Sequence, residues 1–321
     1  MPRSLLGPPA GRVGGGDRQA RPVYTTRGEI SGRGAACNIH PAGARPGDRL
    51  EQEADLRVES LSKERMRQPL RRLYLLYHEV RTGESWYSYV VETGVFARQV
   101  EMFARMRATE SAGLWPELTF DDGHISNVEV AAPILQSRGM TARFFITAGW
   151  TGTKPDTMDW PEVRSLHEAG HAIGAHGWSH KLLTHCGDRE LQTELSKSRL
   201  TLEDKLGSSV VTMSLPGGRS NRRVLAACAA AGYTQVYTSE PRAELLPLGA
   251  TVGRLNILGT MQPEWIAKLF EPDGRVLSEL GRQYRMKEAA KKLLGDRLYA
   301  RLWAMVNRRE PGTDGGGEGA E

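Results

Sequence analysis

The sequence predicts an α/β chain made of parallel βαβ units, and two observations carry that expectation. Short apolar runs of strand composition alternate with segments of helical spacing from Arg72 onward, and polar clusters recur where the predicted strands end. Such alternation builds either a doubly wound sheet or a barrel, and in both architectures function gathers at the strand ends.

The elements follow in order. Residues 73–80 (LYLLYHEV) form a first strand, and after the turn-like RTGES, residues 95–106 have helical spacing. Residues 114–120 read as a strand, 128–138 as a helix closed by Gly139, and 141–147 (TARFFIT) as the next strand. Asp159 caps a helix with Pro161 and Glu162 in its first turn, which runs to Ala169 and stops at Gly170. The strand HAIGAH comes next, then a long helix over 188–206, a strand over 210–215, and a helix over 221–231 ahead of Gly232. Two short strands, 234–237 and 254–258, complete the series.

Composition bounds the rest. The 321 residues are 39% hydrophobic, enough for a sizeable core, and no run of about 18 apolar residues occurs. The N-terminus lacks the pattern of a secretion signal, so the expected location is the cytoplasm. Cys37, Cys186 and Cys228 form neither a CxxC pair nor an even framework, which argues against a disulfide scaffold or a thiolate zinc site. The net charge of +5 resides in residues 1–50, where eight Arg face only Asp17, Glu29 and Asp48, and the remaining residues hold 35 basic and 35 acidic groups. Residues 1–65, rich in Arg, Gly and Pro in their first part, cannot bury enough surface to offset chain entropy and read as a disordered extension. Met66 is an alternative natural start. Only Tyr24 interleaves with the arginines, so a nucleic-acid role is disfavoured.

Three polar clusters could do chemistry. The first is Asp121-Asp122, directly after the strand LTF. The second is HGWSH, in which His176 and His180 are four residues apart, so that a helical turn would set both imidazoles on one face. The third is the turn Pro216-Gly217-Gly218-Arg219, where glycine lets the backbone approach whatever occupies the site. Two imidazoles and a carboxylate suit Zn2+, or Co2+, Mn2+ or Ni2+, with positions left open for water and substrate. Such a metal lowers the pKa of bound water toward about 7 and polarises a carbonyl. Neighbouring residues on a strand point to opposite faces, so one Asp of the pair can bind metal while the other serves as general base. Taken singly, HxxxH and DDG are weak signals, since a DDG is more often a turn. Their order along the chain, each at a strand end, is what gives them weight. His78, which follows the first strand, and His124, His167, His171 and His185 are assigned structural or surface roles by default.

From LTFDDG through EAGHAIGAHGWSH to SLPGG, the sequence resembles the polysaccharide deacetylases, the NodB-homology carbohydrate esterases of family 4. The resemblance in element order covers residues 73–258. It implies a distorted (β/α) barrel and a hydrolase of carbohydrate metabolism that removes acetyl groups, N-linked in most cases, from a sugar or polysaccharide precursor. It further implies Asp121 as the base that activates a metal-bound water, Asp122, His176 and His180 as metal ligands, and Pro216, Gly217, Gly218 and Arg219 at the substrate.

The chain departs from the pattern in three places. Gly177 stands where Ser or Thr is usual, and Ser214 stands where an arginine usually orients the base, with Arg219 close enough in sequence to reach the same carboxylate. Of the late motifs, neither the Asp/Trp element nor the Leu-x-His that supplies the catalytic acid has a match, and YTQVYTSEPR and GRLNILG, the latter with Arg254, occupy their places. The alternative function is therefore an impaired glycan-binding or regulatory protein that keeps the metal site. The expected domains are 1–65, a catalytic domain over 66–275, C-terminal amphipathic helices over 276–308 interrupted at Gly295, and a flexible tail over 309–321. The basic helical segment also admits peripheral membrane association.

Overall fold

A computed structural model describes residues 71–306 apart from 84, 86 and 110–112, with side chains as far as residue 290. The expected N-terminal extension, the alternative start at Met66 and the C-terminal tail lie outside the described residues. The strands are β1 (Arg71–Tyr77), β2 (Glu79–Arg81), β3 (Val90–Glu92), β4 (Leu114–Phe120), β5 (Arg143–Ile146), β6 (Ala172–Ala175), β7 (Thr212–Ser214), β8 (Gln235–Tyr237), β9 (Glu244–Leu245), β10 (Thr251–Val252) and β11 (Arg254–Asn256). The α-helices are α1 (Thr93–Ala108), α2 (Ala132–Gln136), α3 (Trp160–Glu168), α4 (Asp188–Leu206), α5 (Arg222–Ala230), α6 (Pro263–Ala267) and α7 (Arg275–Val306).

The main sheet is parallel, in the order β10-β8-β7-β6-β5-β4-β1-β11, with β9 antiparallel on β1. Only Gly253 separates β10 from β11, so one extended segment pairs first with β8 (Thr251 opposite Val236) and then with β1 (Arg254 opposite Tyr74). That segment touches both ends of the strand series and closes it into a distorted (β/α) barrel. Strands β2 and β3 form a small separate pair.

Strand alternation sorts the side chains into two layers. Leu73, Leu75 and Tyr77 of β1, Leu118 and Phe120 of β4 and Phe144 of β5 face the helices, where Phe120 stacks on Phe144 with centroids 4.8 Å apart. Each such buried Leu or Phe contributes about 1.5–3 kcal/mol relative to exposure. The inner face is narrower and is filled by Tyr74, Phe145, Tyr237 and Val252.

Local chemistry explains most of the helix ends. Asp159 caps α3 as expected: its carboxylate accepts from Glu162 N at 2.9 Å, and Glu162 accepts from Asp159 N at 2.7 Å. The single helix expected over 128–138 is instead a π turn, Asn127–Ala131, followed by α2. Pro133 has no N–H to give a carbonyl four residues back, and the chain widens, with Ala132 N reaching Asn127 O. The expected break at Gly295 does not occur, since α7 runs through it. A mid-helix glycine costs about 1 kcal/mol and does not by itself end a helix. No helix among the described residues is long and apolar enough to cross a membrane.

Candidate active site

The inner layer changes character toward the C-terminal strand ends. Thr119 and Asp121 share the inner side of β4 and its extension, as Thr212 and Ser214 share that of β7 and Arg254 and Asn256 that of β11. Arg254 is fully buried and passes over the rings of Phe145 and Tyr237, 5.2 and 5.8 Å from their centroids, to reach Asp121. Its Nη1 donates to Asp121 Oδ1 at 2.7 Å and its Nη2 to Oδ2 at 2.8 Å, a bidentate pair. Ser214 Oγ donates to Asp121 Oδ2 at 2.8 Å and lies 2.7 Å from Arg254 Nη2. Burial opposes charge on Asp121, but Arg254 wins and holds its pKa below the ordinary carboxylate value. The orienting arginine is therefore Arg254 and not Arg219, and Ser214 contributes a hydroxyl to the same carboxylate.

Asp122 has left the strand. Its φ of 73° turns the chain, so that strand alternation no longer sends its side chain away from that of Asp121, and both line one cavity. His180 has φ 63°, and a non-glycine residue in this region costs of order 1–3 kcal/mol, a strain typical of functional sites. The helical turn expected for HGWSH is absent. Gly177, φ 78°, and His180 instead fold the segment into a loop that brings the two imidazoles to a centroid separation of 5.0 Å.

The three ligand candidates converge. Asp122 Oδ1 lies 3.2 Å from Nε2 of His176 and 3.2 Å from Nε2 of His180, and is buried without a hydrogen bond. His176 Nδ1 lies 3.0 Å from the carbonyl of Ser214, which can only accept, so Nδ1 carries the proton and Nε2 points its lone pair at Asp122. Lone pairs gathered this way need a cation between them. Burial opposes charge on His176, but Asp121 and Asp122 raise its affinity for a proton above the usual imidazole value. Asp122 is held well below the usual carboxylate range, the two imidazoles outweighing its burial. The donor set thus fits a divalent metal, whose binding would displace protons.

The loop is held from behind by Glu194 on α4, which is 4% exposed. Glu194 Oε2 accepts from the backbone N–H groups of Trp178 and Ser179, both at 2.9 Å, and Oε1 accepts from Ser179 Oγ at 2.5 Å. Gly177 packs on the same carboxylate: a Cβ there would come within 3.3 Å of Glu194 Oε2, and its φ disfavours any side chain. The hydroxyl expected after His176 is thus replaced by Ser179 and a buried carboxylate. Glu194→Ala is expected to weaken metal affinity about 10–100-fold, the usual scale for groups that orient ligands, as measured by competition with a chelator. Unchanged affinity would show that the loop holds itself.

Asp121, Asp122, His176, His180, Gly217, Gly218 and Arg219 all line one cavity of about 450 Å³, while Pro216 is buried behind the turn. Gly218, φ 66°, abuts Ser239 too closely for a side chain. Leu76 and Leu215 give the cavity apolar surface, and Tyr87, Tyr89 and Tyr284 give it aromatic surface. His78 lines it too, against Tyr89 with centroids 4.8 Å apart. Its Nδ1 is buried without a partner among the described residues, and burial lowers its pKa.

Residues 116–236 match the family model described as polysaccharide deacetylase. The peptidoglycan-N-acetylglucosamine deacetylase PgdA of Listeria monocytogenes is 32% identical over 108 residues, 33% of this chain and 22% of that protein. Chitin deacetylase 1 of Cryptococcus neoformans is 29% identical over 119 residues, 37% of this chain and 24% of that protein. The Bacillus subtilis protein YxkH is 29% identical over 126 residues, 39% of this chain and 45% of its own length. This chain therefore spans less than half the length of each of these relatives. The solved structure of the Streptococcus pyogenes deacetylase PplD in complex with acetate shares the fold, with a TM-score of 0.56 at 22% identity over 64% of this chain and all of that one. A Bacillus cereus polysaccharide deacetylase gives 0.56 at 18% identity, over 63% and 70% of the two chains. Residues 116–236 are thus similar to the polysaccharide deacetylase family, and the solved deacetylase structures share the fold.

Proposed function

We propose that the protein hydrolyses an acetamido group on a sugar, releasing acetate and a free amine, with a divalent metal held by Asp122, His176 and His180. The observation that carries this reading is the convergence of Asp122 Oδ1 and the two Nε2 atoms beside a second, separately anchored carboxylate, Asp121. The relatives named as chitin and peptidoglycan deacetylases support a glycan substrate. When bound, the metal would supply Lewis acidity for the acetyl carbonyl and for water.

The chain's own residues divide the remaining work. Arg254 and Ser214 take three of the roughly four acceptor positions of Asp121 and fix the carboxylate, leaving one to accept a proton from the attacking water. As the C–N bond breaks, the amine nitrogen needs a proton, the one Asp121 took from water, and His78, the imidazole in the cavity outside the metal triad, would pass it on. It stands at the end of β1 and fills the role that the missing Leu-x-His element leaves open. The tyrosines offer flat faces to the apolar side of a sugar ring.

The test is acetate release from N-acetylated oligosaccharides, with and without a chelator. Chelator-sensitive release is expected, and His78→Gln should lower it about 10²–10⁴-fold while metal content stays level. Release that ignores the chelator, or a full-rate His78→Gln enzyme, would contradict these roles.

A further inference from the structure

The two histidines of the ligand set are held in different ways. The His176 side chain is 2% exposed, and its Nδ1 is fixed 3.0 Å from the Ser214 carbonyl. The His180 side chain is 32% exposed, and among the described residues its Nδ1 has no hydrogen bond. A ligating imidazole is ordinarily fixed by a polar group on its second nitrogen, and His180 has a ring in that place. The indole of Trp150 packs on it with centroids 4.9 Å apart and planes tilted by 36°.

The chain places that indole with care. Residues 147–150 leave the end of β5 and run along the segments that carry the ligands. Thr147 N lies 3.4 Å from Asp122 O, Ala148 N donates to Gly177 O at 3.2 Å, and Gly149 N donates to Trp178 O at 2.8 Å. A Cβ on Gly149 would collide with that same Trp178 carbonyl, so only glycine lets the two segments lie this close. The Trp150 carbonyl accepts from the N–H groups of Thr153 and Lys154, both at 2.9 Å, and lies 3.0 Å from the hydroxyls of Thr153 and Thr157. The tight turn that results returns Lys154 over the indole, with Nζ 3.3 Å from a ring centroid. Backbone and side chain of Trp150 are therefore both anchored, and the indole is a fixed wall for His180.

We propose that Trp150 is a positioning residue for the metal: it holds His180 in its ligating orientation and so governs how long the ion is retained. The proposal rests on Asp122, His176 and His180 being the metal site. Of the three, His180 is the most exposed, and no hydrogen bond opposes rotation of its ring, so it is the ligand that can swing away first. Trp150 blocks that swing by contact alone.

The experiment follows the transfer of Zn2+ from the loaded protein to an excess of chromophoric chelator by stopped flow, with association measured separately on the metal-free protein. Trp150→Ala is expected to speed release by about 10–100-fold, the scale for residues that orient ligands, while association stays near the wild-type rate. Trp150→Phe should return most of the retention, because a flat ring again meets the imidazole. Trp150→Leu, which keeps apolar bulk without a ring face, should release as fast as the alanine variant and carries the test if that variant does not fold. Wild-type release rates in both Trp150→Ala and Trp150→Leu, a Trp150→Phe protein as leaky as Trp150→Leu, or an affinity loss that lies wholly in association would each overturn the proposal. A wild-type protein that takes up no Zn2+ ends the metal reading and this one with it, whereas a wild type that holds Zn2+ beside variants that hold it as long ends this one alone.

Discussion

Arg254→Met is expected to destabilise the protein by about 3–5 kcal/mol, the usual consequence of removing one partner from a buried ion pair. Arg254 is 0% and Asp121 2% exposed, and the guanidinium meets both carboxylate oxygens. Methionine would fill much of the space but leave the charge of Asp121 buried with the Ser214 hydroxyl as its remaining side-chain hydrogen bond and His176 Nε2 3.9 Å away. Arg254→Lys should rescue little, since one ammonium cannot span both oxygens and the serine hydroxyl. Adding Asp121→Asn to Arg254→Met should restore part of the loss, because the uncompensated charge disappears. The folded Asp121 has a lowered pKa, so the pair's contribution is present above the ordinary value of about 3.9 and is lost as pH falls through the folded one. Urea unfolding at neutral pH measures these differences, and a change below about 0.5 kcal/mol for Arg254→Met, the scale of ordinary surface substitutions, would refute the account of this pair.

The adjacent aspartates should respond oppositely to the same substitution. Asp122 Oδ1 has no hydrogen bond and faces two Nε2 atoms, so Asp122→Asn, like His180→Ala, removes a ligand and should empty the site of metal. Asp121 is tied to Arg254 and Ser214 instead, so Asp121→Asn should keep the metal while turnover falls about 10²–10⁴-fold, the range for loss of a general base.

Much of this was legible in the sequence. Expected strand 114–120 and helix 188–206 coincide with β4 and α4, since an apolar run and a long periodic segment are strong local signals. Asp121, Asp122, His176 and His180 were readable because each follows an apolar strand. The geometry that joins them was less so: the left-handed backbone at Asp122 and His180 is imposed by tertiary contacts, Glu194 among them, and HxxxH spacing alone suggests a helix. Strand β10 is two residues long, and closure of the barrel through Gly253 depends on pairing with β8 and β1, which no local pattern encodes. Arg254 did leave a trace, as an arginine inside the short strand GRLNILG. A cation in an interior strand requires a buried anion, and Asp121 is that anion. The contributions of Glu194 from α4 and of Tyr284 from α7 arise from helix packing, invisible at sequence separations this large.

The most direct test is a paired measurement on Asp121→Asn and Asp122→Asn: metal content by elemental analysis and acetate release from N-acetylated oligosaccharides. The account predicts near-stoichiometric metal with turnover lost in the first, and metal and turnover lost together in the second. Metal stripped from Asp121→Asn, or turnover retained by it, would contradict the division of roles between the two carboxylates.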